Sequence, residues 1–378
     1  MKDLMQCRKE IDEIDSRMTE LFEKRMGIAA EVAEYKRVSG KKVFDKQREE
    51  EKLETIEKMA SNPYFGRGLR ELFSQIMSLS RKYQYTMLAD KTQSGFSEIA
   101  SLCCDETDTV AFFGEPGSYT EQALMRALGE SCERMSCPTF GAVVEAVENG
   151  KAKFGVVPIE NTTTGDIFDL YDLMAEHPVY PVAEQVIKIE HVLAAPEGAT
   201  EDSIKEVFSH PQALLQCSGY FAKRPELLQR ACSSTSGCAM EVAKSGDITK
   251  AAIASEIAAK RYGLTVLRRG LNNENVNSTR FLVLSKEGVY TPEADKVSIC
   301  FETAHESGSL YRILSHLIYN NLNMTKIESR PIPGKQFEYR FFVDFDGRLS
   351  DAAVQNALTG IKEEASRLKV LGCYKSFV

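Results

Sequence analysis

The chain opens with apolar residues at helical spacing. Leu4, Ile11, Ile14, Met18, Leu21, Met26, Ile28, Val32 and Tyr35 recur mostly on three- and four-residue steps, and nothing stronger than Gly27 interrupts them. The pattern predicts one helix to about residue 36. At 1.5 Å per residue it would reach roughly 50 Å, longer than a small domain, so a second chain is expected to pack along it. Residues 38–42 break the pattern. A second helix is expected from about Asp45 to Met59, ending at Asn62-Pro63, and a third from about Gly68 to Leu88. The period then changes. Residues 89–107 read as a polar linker. A buried-type strand at 110–113 leads through the loop 114–120 into a helix to Leu128. A helix over 140–147 leads into a strand at 154–157, expected to stop at Pro158. The polar turn 160–164 closes at Gly165, and Phe168, Leu170, Leu173 and Met174 then have helical spacing. This alternation argues for a parallel sheet. Residues 182–195 read as one extended run into a second lobe, which contains 207–214, 233–237 and the strand-loop-helix tract from Ala251. The polar cluster at 277–280 enters a further strand. Two α/β lobes joined by two crossings make a cleft, a common ligand-binding arrangement. From residue 295 the order is strand (297–303), helix (309–320), strands (324–331, 338–345), helix (349–368) and strand (370–374). That β-α-β-β-α-β order is ferredoxin-like.

Composition narrows the chemistry. With 378 residues the chain has room for two or three domains, and 43% hydrophobic with 27% charged residues is ordinary globular usage. A net charge of −8 argues against a nucleic-acid partner, so any anionic ligand must be met by a few well-placed cations. The charged start Met1-Lys2-Asp3-Leu4 lacks a signal-peptide apolar region, and no run approaches a membrane span. A cytoplasmic protein with no membrane partner is expected, and its ten cysteines are expected as free thiols. There is no CxxC, no HExxH and no glycine-rich nucleotide loop, so neither metal nor cofactor is expected.

Within the first helices the cations are arranged by face. Arg25 and Lys36 are eleven residues apart, close to three turns. Asp45, Arg48 and Glu49 share a face, as do Ser80 and Gln84. Together these polar faces can enclose an anion site. Arg8 lies about a quarter turn off the Arg25 face and would have to arrive from another copy of the first helix. The plain alternative for each residue is a solvated charged face. From Leu4 to Gln84 the residues Arg8, Arg25, Lys36, Asp45, Arg48, Glu49, Ser80 and Gln84 resemble the all-helical chorismate mutase family. The resemblance implies an intertwined homodimer, or a higher homo-oligomer, that rearranges chorismate to prephenate. In that reading Arg8 of a partner chain and Arg25 grip carboxylates. Lys36 and Gln84 flank the ether oxygen as the catalytic pair, Glu49 holds the ring hydroxyl, and Asp45, Arg48 and Ser80 complete the shell.

Residues 108–286 resemble the prephenate dehydratase family through ordered stretches: 114–120, 157–165, 209–214, 251–255 with Tyr262-Gly263-Leu264, and Thr279-Arg280-Phe281. The family often has Gly-Pro-x-Gly where this chain has Gly114-Glu115-Pro116-Gly117. The resemblance implies a two-lobed, periplasmic-binding-protein-like domain that removes water and carbon dioxide from prephenate, giving phenylpyruvate. Thr279 is the candidate for hydrogen-bonding the departing hydroxyl, with Glu160 able to orient the loop. Ser118, Thr120, Asn161, Thr162, Thr163, Arg280 and Phe281 are the candidate prephenate binders, Arg280 being as readily a structural ion pair. His210 and Gln212 are expected to shape the second lobe. Residues 295–378 resemble the amino-acid-binding ACT domain through Gly308-Ser309-Leu310, where Gly-Ala-Leu is frequent, and Glu328-Ser329-Arg330-Pro331. This implies a phenylalanine effector site. The expected organisation is therefore 1–88 helical mutase, 89–107 linker, 108–286 dehydratase and 295–378 regulatory, a bifunctional enzyme of phenylalanine biosynthesis under feedback inhibition. A non-catalytic two-lobed sensor is the rival reading. A mutase joined to a dehydrogenase would need the dinucleotide loop that this sequence lacks.

Overall fold

The structure, a computed structural model, describes residues 3–88, 95–274 and 276–377. It divides into two compact units: Met1–Ser94 with Ile299–Val370, and Gly95–Ser298 with Leu371–Val378.

The first helix, α1, spans Leu4–Ser39. Asp3 caps its start, its side chain accepting from the Met5 N–H, and Gly40 at φ 68° ends it in a left-handed turn that favours glycine. Helix α2 (Lys46–Lys58) is capped by Asp45. Helix α3 (Pro63–Leu88) begins earlier than the sequence suggested, because Pro63 starts it. The fixed φ of proline suits a first turn, and the Asn62 side chain accepts from the Phe65 N–H at 2.9 Å. Both α1 and α2 pack on α3. Yet α1 buries only Ala29 and Ala33, while Leu4, Ile11, Ile14 and Leu21 are all more than half exposed.

The second unit begins with β1 (Ser97–Glu98), so part of the stretch read as linker is paired in a sheet; residues 89–94 of that stretch lie outside the described residues. Its first lobe contains β2 (Thr109–Phe113), α4 (Tyr119–Leu128), β3 (Glu133–Cys137), α5 (Phe140–Glu148), β4 (Phe154–Asn161), β5 (Gly165–Asp166), α6 (Phe168–Glu176) and β6 (Tyr180–Lys188). The second lobe contains β7 (Val192–Ala195), β8 (Glu206–Ser209), α7 (Pro211–Gln216), α8 (Ser218–Ala222), β9 (Leu228–Ala231), α9 (Thr235–Ser245), β10 (Lys250–Ala254), α10 (Glu256–Arg261) and β11 (Thr265–Arg268). The chain then returns through β12 (Ser278–Ser285) to the first lobe, and β13 (Val289–Tyr290) pairs with β1.

The first-lobe sheet runs β3-β2-β4-β12-β6 and the second β11-β7-β10-β8-β9. Neither is purely parallel, contrary to the sequence expectation. Strand β12 is antiparallel to β4 and β6, and β7 is antiparallel to β10 and β11. Each crossing between lobes delivers a strand from the far side, which reverses its direction. The run 182–195 accordingly splits into β6 and β7. Pro158 sits inside β4 instead of ending it. Opposite Pro158 the register shifts: Phe281 pairs with Pro158 and Arg280 with Glu160, a bulge that tolerates the missing N–H. Cys232 and Cys238 are joined as a disulfide where free thiols were expected. Val110, Phe112, Leu124, Val156, Ile187 and Val283 centre the first core, and Val207, Leu214, Phe221 and Ile253 the second.

The chain ends with β14 (Lys296–Glu302), α11 (Ser309–Tyr319), β15 (Met324–Pro331), β16 (Tyr339–Asp346), α12 (Ala352–Glu364) and β17 (Arg367–Tyr374), in a sheet of order β15-β16-β14-β17. Helix α12 is shorter than expected. The Ser366 N–H donates to the Glu302 carbonyl at 2.9 Å, drawing the chain into the sheet before Leu368. Helices α11 and α12 both pack against α3.

Candidate functional site

In the helical part of the first unit, a cavity of 1200 Å³ is lined by Arg25, Lys36, Asp45, Arg48, Glu49, Ser80 and Gln84. The structure thus brings together every residue singled out there except Arg8. That residue is exposed on α1, and seventeen residues from Arg25 it lies about 26 Å away along the axis. The Arg25 guanidinium donates to the Ser80 hydroxyl and, at 3.4 Å, to the Ile76 carbonyl. Lys36 Nζ donates to the Val43 carbonyl at 2.7 Å. Burial pushes the pKa of both cations down, with Glu363 opposing the shift at Lys36. Asp45 has a double duty, since it also caps α2 by accepting from the Arg48 N–H at 3.1 Å. Gln84 donates through Nε2 to the Ser80 carbonyl at 3.2 Å, and its buried Oε1 finds no partner among the described residues. One oxygen of the Glu49 carboxylate accepts from Arg81, a residue with no sequence signal beyond its position next to Ser80.

The second-unit cleft is organised by Asn161. In the ladder between β4 and β12, Asn161 faces Thr279 and Glu160 faces Arg280. Asn161 Oδ1 accepts from the backbone N–H groups of Thr163 at 3.0 Å and Thr164 at 3.2 Å, and from the Thr163 hydroxyl at 2.6 Å. Those donors fix the amide's orientation. Its Nδ2 therefore donates to Thr279 Oγ1 at 2.8 Å and to Asn277 Oδ1 at 3.0 Å. Thr279 is 8% exposed. Thr163 also accepts from Gln216 Nε2 at 2.9 Å, and Gln216 Oε1 lies 3.0 Å from His191 Nε2. Burial pushes the His191 pKa down, so its ring is neutral at pH 7 and Nε2 is the donor. Gln216 and His191 were not singled out from the sequence. Thr162 is exposed, and its hydroxyl accepts from the Ser278 N–H at 3.0 Å.

Arg280 and Phe281 are engaged elsewhere than with Thr279. Arg280 pairs with Glu160 at 3.1 Å and Glu184 at 3.3 Å. Successive strand residues point to opposite faces, so Arg280 faces away from Thr279. Phe281 is 2% exposed and packs in the first-lobe core. Ser118 caps α4 by accepting from the Glu121 N–H at 3.3 Å, and Thr120 is buried behind it. The loop carrying them is clasped to the second lobe. Ser255 Oγ donates to the Gly117 carbonyl at 2.8 Å, and Tyr262 donates to the Pro116 carbonyl at 2.7 Å. The Gly117 N–H donates to Oε2 of buried Glu121 at 2.6 Å and Arg261 reaches both its oxygens at 2.7 Å; against the effect of burial, first the Gly117 N–H and then Arg261 hold Glu121 below the usual carboxylate range. Gly117, at φ 86°, sits so close that an added Cβ would lie 2.9 Å from Ala258 Cα. His210 caps α7, and its Nδ1 accepts from the Gln212 N–H at 3.3 Å.

In the C-terminal module, Gly308 at φ 76° precedes α11, whose first residues are Ser309 and Leu310. Both line a cavity of 90 Å³ with Tyr339 and Phe341. Glu328, Ser329, Arg330 and Pro331 end β15 and do not line it.

Residues 7–85 match the family described as Chorismate mutase type II, and residues 110–289 the family described as Prephenate dehydratase. A Neisseria gonorrhoeae protein named Bifunctional chorismate mutase/prephenate dehydratase is 32% identical over 376 residues, covering 99% of this chain and 98% of its own. Among solved structures, a prephenate dehydratase from Arthrobacter aurescens in complex with L-Phe has a TM-score of 0.66 at 29% identity, over 71% of this chain and 90% of that one. One described as a novel type of quorum quenching acylase also has a TM-score of 0.66, at 28% identity, over 71% of this chain and 98% of that one.

Proposed function

The chain belongs to the bifunctional chorismate mutase/prephenate dehydratase family and has both activities, and on that premise we propose how its residues divide the work. Rearrangement of chorismate is pericyclic. It needs no nucleophile and no proton transfer, only a folded dicarboxylate and charge stabilised at the breaking ether bond. Arg25, and Arg8 from a second copy of the chain, grip the carboxylates. Lys36 and Gln84 meet the ether oxygen, Glu49 takes the ring hydroxyl, and Asp45, Arg48 and Ser80 complete the enclosure. The single supporting observation is that Arg25, Lys36, Asp45, Arg48, Glu49, Ser80 and Gln84, drawn from three helices, line one cavity. The exposed apolar stripe on the first half of α1 supports a homodimer.

Dehydration of prephenate yields an aromatic product, so the substrate supplies the driving force and the protein assists loss of the ring hydroxyl. Thr279 is the group for that step. Because Asn161 donates to its oxygen at 2.8 Å, the Thr279 hydroxyl keeps its own hydrogen to give. A threonine is too weak an acid to hand over a full proton early, so donation runs in concert with C–O cleavage and loss of carbon dioxide. Thr163, Thr162 and the remaining O–H of Ser118 frame the substrate, with Thr120 buried beneath them.

Phenylalanine acts as feedback inhibitor through the C-terminal module, with Gly308, Ser309 and Leu310 at one edge and Glu328–Pro331 on β15. Two features support this: the β-α-β-β-α-β module itself and the L-Phe carried by the Arthrobacter aurescens relative. The test is one assay series on metal-stripped protein, following chorismate loss and phenylpyruvate formation with and without phenylalanine. Turnover in both steps, depressed by phenylalanine and relieved in Leu310→Asp, is expected. Binding of prephenate without product would instead make the second unit a sensor.

A further inference from the structure

Arg81 stands between the rearrangement cavity and the C-terminal module, and no role so far described uses it. It is 4% exposed. One terminal nitrogen donates to the Glu49 carboxylate. Its Nε and its other terminal nitrogen reach Glu364 Oε1 at 3.1 and 3.0 Å. Its guanidinium also lies 4.7 Å from the centre of the Phe44 ring. Glu364 ends α12 and is equally buried, with His316 Nε2 at 3.2 Å from the same oxygen. That histidine fills the notch over Gly360, where an added Cβ would come within 2.3 Å of its ring. The neighbouring Glu363 accepts from the Tyr85 hydroxyl at 2.9 Å and the Phe44 N–H at 3.0 Å. Phe44, Glu49 and Arg81 line the large cavity and also a second one of 190 Å³, whose far wall carries Ser309, Arg312, Ser315 and Glu364.

A partly exposed carboxylate on a helix ordinarily samples several rotamers. Glu49 is instead held from behind by a guanidinium that is itself held by a buried carboxylate, an arrangement of charge-assisted bonds with little freedom. We propose that Arg81 is a positioning residue of the rearrangement site, shared between Glu49 and Glu364, so that the C-terminal module sets where the Glu49 carboxylate meets the substrate. The inference rests on the reading of Glu49 as the ligand of the ring hydroxyl. It makes Glu364, 283 residues from Arg81 in sequence, part of the support of that site. It also gives the module a direct mechanical hold on the first reaction, separate from any effect on the second.

A double-mutant cycle tests it in the full-length protein, with the dehydratase rate of each sample as the check that the chain is folded. Arg81→Met is expected to lower mutase kcat/KM about tenfold or more, while in a Glu49→Gln background the same change should cost less than about twofold. Arg81→Lys, which keeps a donor, should recover part of the loss, and Glu364→Gln should reproduce it in milder form. Equal losses in both backgrounds would make Arg81 merely structural and overturn the proposal. An Arg81→Met enzyme with normal mutase kinetics would overturn it too, leaving the Glu49 reading intact. A Glu49→Gln enzyme with undiminished activity would remove the Glu49 reading and the proposal together.

Discussion

If Arg8 serves the site of a neighbouring chain, two crippled proteins should repair one another. Along α1, Arg8 is about 26 Å from Arg25 and turned about a quarter turn away, beyond the reach of any side chain. On this reading no single chain completes its own site. In Arg8→Ala every site keeps Arg25 and lacks its visitor; in Arg25→Ala the reverse holds. Each variant alone should lose about two orders of magnitude in mutase kcat/KM, as expected for removal of a charge-assisted grip on a carboxylate. When equal amounts are unfolded and refolded together, about half the dimers pair unlike chains, and each of those holds one complete site and one lacking both arginines. The mixture should then show about a quarter of wild-type mutase activity, far above either parent. Dehydratase turnover, which uses neither arginine, normalises for recovered protein. Unlike pairs are counted by native mass spectrometry. If such pairs form and the mixture is no more active than its parents, Arg8 does not cross between chains.

Thr279→Ala should cut dehydratase turnover about 100-fold or more and leave the mutase rate unchanged; parallel assays of one preparation decide this. Lys82 tests the seam between α3 and α11. It is buried, donates to Ser315 Oγ at 2.7 Å, and burial pushes its pKa down to about 8. Below that pH the folded state holds an unwelcome charge, and the penalty is relieved as pH rises from about 8 toward the unfolded value near 10.5. Relative to wild type, Lys82→Met should therefore gain most at pH 7, and the difference in denaturation free energy should shrink by at most about 3 kcal/mol by pH 10. A difference that does not change with pH refutes the argument. Gly117→Ala should destabilise the protein by about 1–3 kcal/mol through a strained φ and the approach to Ala258, visible as a lower melting temperature with weakened dehydratase KM.

Local periodicity carried much of this structure. The helices of the first ninety residues were legible because their apolar positions repeat, and the shared faces of Arg25 with Lys36 and of Asp45 with Glu49 follow from spacing alone. What failed to show was whatever depends on distant partners. Arg81 reads in sequence as one more charge on a helix; its meaning comes from Glu364. Pro63 and Pro158 were read as breakers. The first begins a helix and the second sits in a bulge, since a proline's effect depends on which N–H its place requires. Parallel sheets were inferred from alternation, yet the two crossings bring back antiparallel strands. Arg280 adjoins Thr279 in sequence, yet a strand sends immediate neighbours to opposite faces; Phe281, two residues on, is held in the first-lobe core. Ser118 is also a helix cap, its hydroxyl oxygen accepting from the Glu121 N–H, which leaves its O–H as the group it can offer a ligand.

The amide of Asn161 has one side that only accepts and another that only gives. An Asn161→Asp exchange, nearly identical in size, would leave the loop's contacts in place yet present an oxygen to Thr279. The hydroxyl would then swing its hydrogen inward to that oxygen, and the open cleft would face lone pairs. With Thr279 in the role proposed for it, the second reaction hangs on which way a single O–H vector points, and a change too small to alter the outline of the protein is enough to turn it round.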